Sequence, residues 1–96
     1  MKTYSFEKLD VWNRSRTLVK EIYRMTKNFP KEELFGLTSQ IRRAANSVAS
    51  NIAEGTARIT GKEKARFSEI AFGSLMEVLN HLILSKDLGY LSETEV

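Results

Sequence analysis

The apolar residues of the chain recur at helical spacing in three long segments. In the first segment, apolar or small side chains follow one another every three or four positions from Val11 to Phe29. That spacing places them on one face of an α-helix. None of the segments shows the sustained alternation that is typical of a β-strand. The pattern predicts an all-α protein with helices over about residues 9–28, 36–54 and 61–88.

Local signals predict where these helices begin and end. Pro30 is expected to stop the first helix, because proline cannot continue the backbone hydrogen-bond ladder. Gly55 stands where a glycine would close the second helix, and Gly89 where one would close the third. Thr60 and Glu63 have the spacing of a capping box at the start of the third helix.

The third helix carries more apolar surface than two neighbouring helices can easily cover. Besides a row that includes Phe67 and Leu82, it has a second row formed by Phe72, Met76, Leu79 and Ile83. A helix that is apolar on most of its circumference must be buried on most of it. Ser92 and Glu95 form another capping box, which predicts a fourth helix beginning near residue 92. We expect a single domain over residues 1–96 whose fourth helix is truncated, disordered or absent, together with oligomerisation.

Four stretches of sequence, residues 6–12, 29–45, 50–55 and 87–92, resemble a known family in their order and spacing. They are similar to the bacterial four-helix bundle proteins of the 23S rRNA intervening sequence family, over essentially the whole chain. The resemblance implies an antiparallel up-down four-helix bundle and ring-like homo-oligomers, typically pentamers. It also implies a gene within a ribosomal RNA insertion or, for distant relatives, an accessory role beside a reverse transcriptase. No enzymatic activity is established for that family.

Composition narrows the classes of site that the chain can hold. It has no cysteine and one histidine, His81, so thiolate metal sites are excluded and histidine-based sites are disfavoured. We expect His81 to be a partly buried or interfacial polar residue. A di-iron site needs a Glu-x-x-His pattern, but Asn80 is the residue three positions after Glu77. We therefore expect no catalytic residues, no metal and no cofactor; an undetected nuclease is the catalytic alternative.

The same composition leads to an expected compartment. A chain without cysteine suits the reducing cytoplasm. No apolar run reaches the roughly 20 residues of a membrane-spanning helix, and the N-terminal residues lack the hydrophobic core of a signal peptide. We expect a cytoplasmic protein that does not associate with membranes.

Charge is distributed unevenly along the chain. Residues 1–66 contain 14 Lys and Arg against 7 Asp and Glu, whereas residues 67–96 contain 1 against 5, and the net charge is +3. A basic segment of this kind favours a polyanionic partner such as RNA, bound mainly through phosphates. The candidate nucleic-acid-binding residues are Arg42, Arg43, Arg58, Lys62, Lys64 and Arg66. The alternative is that these are ordinary solvated charges, some of them paired with Asp10, Glu21 or Glu63.

The aromatic residues do not form an RNA-recognition pattern. We expect Trp12, Tyr23, Phe29, Phe35, Phe67 and Phe72 to be core or interface residues, so reading of bases is not predicted. The predicted function is that of a small, non-catalytic, self-assembling bundle, a homo-pentamer or other ring, that associates with RNA. The alternative is a protein–protein interaction scaffold, or an accessory subunit for a nearby-encoded enzyme such as a reverse transcriptase.

Overall fold

The computed structural model describes residues 4–92, which fold into three α-helices and two short 3₁₀ segments. The helices are α1 (Asp10–Thr26), α2 (Leu37–Thr56) and α3 (Gly61–Asp87), and the 3₁₀ segments span Ser5–Lys8 and Lys31–Glu33. The described residues contain no β-strand. The prediction of an all-helical protein is confirmed, and the four-helix arrangement stays a prediction. The expected fourth helix would begin near residue 92, and residues 93–96 lie outside the described residues.

The helix-end signals behave differently in α2 and α3. At the start of α3, the Thr60 hydroxyl accepts a hydrogen bond from the Glu63 amide at 3.1 Å. At its end, Gly89 has a φ of +81°, and the Tyr90 amide donates to the Ser85 carbonyl at 2.8 Å, as in a Schellman motif. The predicted role of Gly55 is wrong, because α2 continues through it to Thr56.

Gly55 has a packing role instead of a helix-ending one. A Cβ at this position would lie 3.1 Å from the Cβ of Phe67 on α3. That separation is too short for ordinary carbon–carbon contact. Glycine therefore allows the end of α2 to approach the start of α3.

α2 is the central helix, and both α1 and α3 pack against it in antiparallel directions. The Asn46 side-chain amide donates to the Tyr23 hydroxyl on α1 at 3.1 Å, and the hydroxyls of Ser47 and Ser74 on α3 are 2.9 Å apart. Small side chains on the buried face of α2, such as that of Ala44, allow the neighbouring helices to pack closely. The core cluster consists of Ile22, Phe29, Ile41, Ala44, Ala45, Val78, Leu82 and Leu91.

The residues that follow α3 contact the connection between α1 and α2. The Tyr90 hydroxyl donates to a carboxylate oxygen of Glu33 at 2.9 Å, and the Tyr90 ring lies 5.4 Å from the ring of Phe29. The other Glu33 carboxylate oxygen accepts from the Leu37 amide at 3.1 Å, at the start of α2. One carboxylate thus links the loop before α2 with the residues after α3.

The two apolar rows of α3 have different surroundings. Val78 and Leu82 of the first row are buried against α2. Phe72, Met76, Leu79 and Ile83 of the second row are between 42% and 63% exposed. Val11, which the helical pattern placed on the buried face of α1, is also exposed, because the start of α1 is not covered on that side. Apolar surface beyond what three helices bury is therefore present on the described part of the chain.

α3 has no long uninterrupted apolar run, but its length and average hydropathy are those of a helix that could span a membrane. Within the described residues it is the one helix long and apolar enough to cross a membrane, judged by length and composition only. An 18-residue window of it has a mean hydropathy of 1.2, and 22% of that window is buried. A single helix of this kind is weak evidence, since the core helices of soluble proteins meet the same criterion.

Candidate nucleic-acid interface

The six candidate basic residues fall into two separate groups. Arg42 and Arg43, here called the arginine pair, lie in the second turn of α2. Arg58, Lys62, Lys64 and Arg66, here called the turn group, follow the end of α2 and occupy the first turns of α3. α2 rises about 20 Å between Arg43 and its last residue, at 1.5 Å per residue. The fold therefore presents two positive surfaces at opposite ends of α2.

The two residues of the arginine pair differ in their contacts. The Arg42 Nε donates to the Thr26 hydroxyl at 2.8 Å, and its guanidinium carbon lies 4.6 Å from the centroid of the Tyr23 ring. Arg42 is half-buried and joins α2 to α1. Arg43 is exposed and forms no hydrogen bond or ion pair with the described residues. Arg42 is therefore held in place against α1 and Arg43 is not, and the Nη groups of both have no hydrogen-bond partner among the described residues.

The turn group surrounds the start of α3. The Arg58 guanidinium carbon is 4.4 Å from the centroid of the Phe67 ring, which orients this side chain along the surface. Lys62, Lys64 and Arg66 are exposed. Within the described part of the chain, no member of the group has an acidic side chain within salt-bridge distance, 4.0 Å.

Cations on α1 show the pairing that the alternative interpretation expected. Arg14 Nε lies 2.9 Å from an Asp10 carboxylate oxygen, and an Arg24 Nη nitrogen lies 2.6 Å from a Glu21 carboxylate oxygen. Glu63 forms no salt bridge with any described residue. Ordinary surface pairing therefore accounts for Arg14 and Arg24, and it does not account for the turn group.

A hollow between α1 and α2 lies beside the arginine pair. This α1–α2 hollow has a volume of about 470 Å³ and is lined in part by Tyr23, Phe35, Arg42, Arg43 and Asn46. Phe35 is 90% exposed, so it is not a core residue. The sequence did not predict this exposure, because Phe35 lies between two helices, where helical periodicity gives no information about burial. The available signal was its position next to Gly36, outside every apolar row.

A larger apolar groove is lined by residues of all three helices. This α1–α3 groove has a volume of about 670 Å³, and its apolar lining residues include Val11, Leu18, Ile52, Phe72 and Leu75. Phe72 belongs both to the groove and to the exposed row of α3. The groove and the row therefore meet at Phe72.

Residues 4–92 contain no group of three or more His, Cys, Asp and Glu side chains that is arranged to hold a metal ion. His81 is buried, and its Nε2 lies 3.2 Å from a carboxylate oxygen of Glu77. The His81 ring thus packs in the core with one carboxylate beside it.

A family model described as 23S rRNA-intervening sequence protein matches residues 7–96. No curated protein matches the chain. The matched range includes all three helices and every residue of the arginine pair and the turn group.

Proposed function

We propose that this chain, which belongs to the 23S rRNA-intervening sequence protein family, is a non-catalytic helical module that associates with RNA and assembles with copies of itself. The turn group supplies the main contact with RNA phosphates. The assembly is a ring, a homo-pentamer as the family resemblance implies, and its compartment is the cytoplasm. The module carries no cofactor and does not act on membranes.

The position of the turn group is the observation that carries the nucleic-acid part of the proposal. The N-terminal end of an α-helix is partially positive, so cations there lower helix stability and anions raise it. Lys62 and Lys64 lie on either side of Glu63 in the first turns of α3, and neither forms a salt bridge with a described residue. Together with Arg58 and Arg66 they give this end of the helix an excess of positive charge, which is typical of a site at which a ligand supplies negative charge. A phosphate backbone supplies that charge, with little dependence on base sequence.

Charge reversal separates this site from general surface charge. We expect Lys62→Glu/Lys64→Glu to weaken binding of a labelled single-stranded RNA strongly in fluorescence anisotropy. The matched control is Arg16→Glu/Arg24→Glu, which changes net charge equally at cations that already contact Trp12 and Glu21 within α1. We expect the control to retain most of the affinity.

The same variant should lose RNA affinity without losing stability. Lys62 lies in the first turn of α3, where an acidic residue stabilises a helix by about 0.3–1 kcal/mol, while repulsion from Glu63 opposes that gain. We therefore expect Lys62→Glu/Lys64→Glu to unfold at about the same temperature as the wild type, in which case misfolding does not explain its loss of binding. Equal loss of binding in both variants would show that the turn group has no special role.

The exposed apolar surface supports the self-assembly part of the proposal. Soluble monomers seldom expose a continuous row of large apolar side chains, and such a row marks an interface. Leu79→Ser/Ile83→Ser changes two exposed residues, so the fold of one chain should be retained. We expect light scattering to show a lower molar mass for this variant, and an unchanged mass for Ile59→Ser, which alters an exposed residue outside the row.

The second candidate function, a scaffold for another protein, is favoured by the same surface. If the wild type is a monomer in light scattering, self-assembly is wrong, and the α1–α3 groove then belongs to a different partner. A nearby-encoded enzyme such as a reverse transcriptase is the candidate partner. Retention of that enzyme by the wild type, and its loss in Leu79→Ser/Ile83→Ser, would support the scaffold.

A further inference from the structure

We propose that the α1–α2 hollow binds one unstacked nucleotide of single-stranded RNA, with its base on Phe35 and its phosphate on the arginine pair. Such a site presupposes the association with RNA proposed above and adds a contact that is separate from the turn group. The hollow lies at the start of α2, and the turn group lies beyond its end. The two can therefore be tested independently.

The lining of the hollow suits a nucleotide. The hollow has a volume of about 470 Å³ and is open to solvent, so a ligand would lie against its wall with one side in solvent. Its wall combines two aromatic rings, two guanidinium groups and the Asn46 amide, and none of its lining residues is acidic. Cations without a neighbouring carboxylate favour an anionic ligand.

Phe35 supplies a surface for a base. Its side chain is 90% exposed, and its ring contacts no other aromatic ring or guanidinium within the described residues. An exposed ring beside cations is the arrangement by which proteins hold single-stranded nucleic acid, because every base has a flat face that can stack. Bases in a duplex are already stacked on one another, so the ring selects single strands.

The arginine pair supplies a preorganised contact for phosphate. Arg42 uses its Nε for Thr26 and rests on the Tyr23 ring, so its guanidinium is held in place. Its two Nη groups have no hydrogen-bond partner among the described residues, and a guanidinium edge fits two phosphate oxygens. Arg43 adds a second, unpaired charge at the adjacent position. An acidic peptide would use the two cations and leave Phe35 without a role, whereas a nucleotide uses both.

A single-stranded RNA that contains 2-aminopurine tests the site directly, because the fluorescence of this base changes when it stacks on a ring. We expect Phe35→Ala to lower the affinity about 5- to 150-fold and to abolish the fluorescence change. Phe35→Tyr keeps a ring and should retain both properties. Ile59→Ala removes an equally exposed but aliphatic side chain, and should also leave both unchanged. Far-UV circular dichroism verifies that each variant is folded.

The outcomes distinguish this site from the proposed function. If RNA binds the wild type, and both Phe35→Ala and Arg43→Glu bind it equally well, the nucleotide site is wrong and the turn group alone carries binding. If no RNA binds even at about 50 mM salt, the proposed function fails, and the site fails with it. If Phe35→Ala lowers the molar mass of the assembly but leaves the 2-aminopurine signal intact, Phe35 is a protein-contact residue and the nucleotide site is overturned.

Discussion

Two adjacent arginines on α2 should differ sharply in their contribution to stability. Arg42 donates to the Thr26 hydroxyl at 2.8 Å and rests on the Tyr23 ring, whereas the Arg43 side chain forms no hydrogen bond or ion pair with the described residues. Replacing each in turn by alanine changes the same charge at neighbouring positions of one helix. The comparison therefore isolates the contacts of Arg42.

The expected magnitude follows from those contacts. A hydrogen bond from a charged donor contributes about 1.5–3 kcal/mol, and a cation–π contact at an exposed site about 0.5–1 kcal/mol. Because Arg42 is only half-buried, the lower values apply, and they give about 2 kcal/mol for Arg42→Ala. Thr26 still donates to the Ile22 carbonyl at 2.7 Å, so no buried donor is left unpaired. Arg43→Ala should change stability by less than about 0.5 kcal/mol.

Thermal unfolding followed by far-UV circular dichroism measures this difference. For a domain of this size, 1 kcal/mol corresponds to about 4–8 °C in Tm, so Arg42→Ala should lower Tm by about 8–16 °C. All variants are compared at one protein concentration, because self-assembly makes Tm depend on concentration. Equal Tm values for Arg42→Ala and Arg43→Ala would refute the structural role of Arg42.

Two further predictions concern glycine and tyrosine. Gly73→Ala should raise stability by about 0.5–1 kcal/mol in urea unfolding, because alanine favours the helix and the new Cβ meets no atom within 4 Å. Gly55→Ala should be less stable than Gly73→Ala, because its new Cβ would lie 3.1 Å from the Cβ of Phe67 and this crowding opposes the gain in helix propensity. The hydrogen bond to Glu33 raises the pKa of Tyr90, so the folded state favours the protonated phenol. The hydrogen bond therefore stabilises the folded state below the ordinary tyrosine pKa of about 10, and this stabilisation is lost as pH rises through the raised pKa. The Tm difference between wild type and Tyr90→Phe should therefore shrink above about pH 10, and a difference that grows with pH would contradict the contact.

Much of the helical structure could be predicted from local signals in the sequence. Thr60 and Gly89 mark the ends of α3 correctly, because capping depends on residues within one turn of the helix. The predicted helix end at Gly55 was wrong, because a glycine is needed there for close packing against Phe67, a residue on another helix. Val11 was placed on a buried face by periodicity alone, and periodicity does not show whether a neighbour covers that face.

The candidate sites could be predicted only in part, for the same physical reason. Sequence reasoning identified Arg42 and Arg43 together, but successive helix residues are rotated by about 100°, so one faces α1 and the other does not. The predicted helix over residues 36–54 already separates them from the turn group, because most of its length lies between the two. The exposure of Phe35 depends on tertiary packing, which the hydrophobic periodicity of the sequence does not indicate.

The dependence of RNA affinity on salt tests the central claim most directly. The logarithm of the binding constant for single-stranded RNA falls with the logarithm of salt concentration, with a slope of about −0.7 for each phosphate neutralised. Replacing all four residues of the turn group, Arg58, Lys62, Lys64 and Arg66, by glutamine should reduce the steepness of that slope by up to about 2.8 for each chain. A slope that is unchanged in this variant, or a wild type that shows no binding at low salt, would contradict the account.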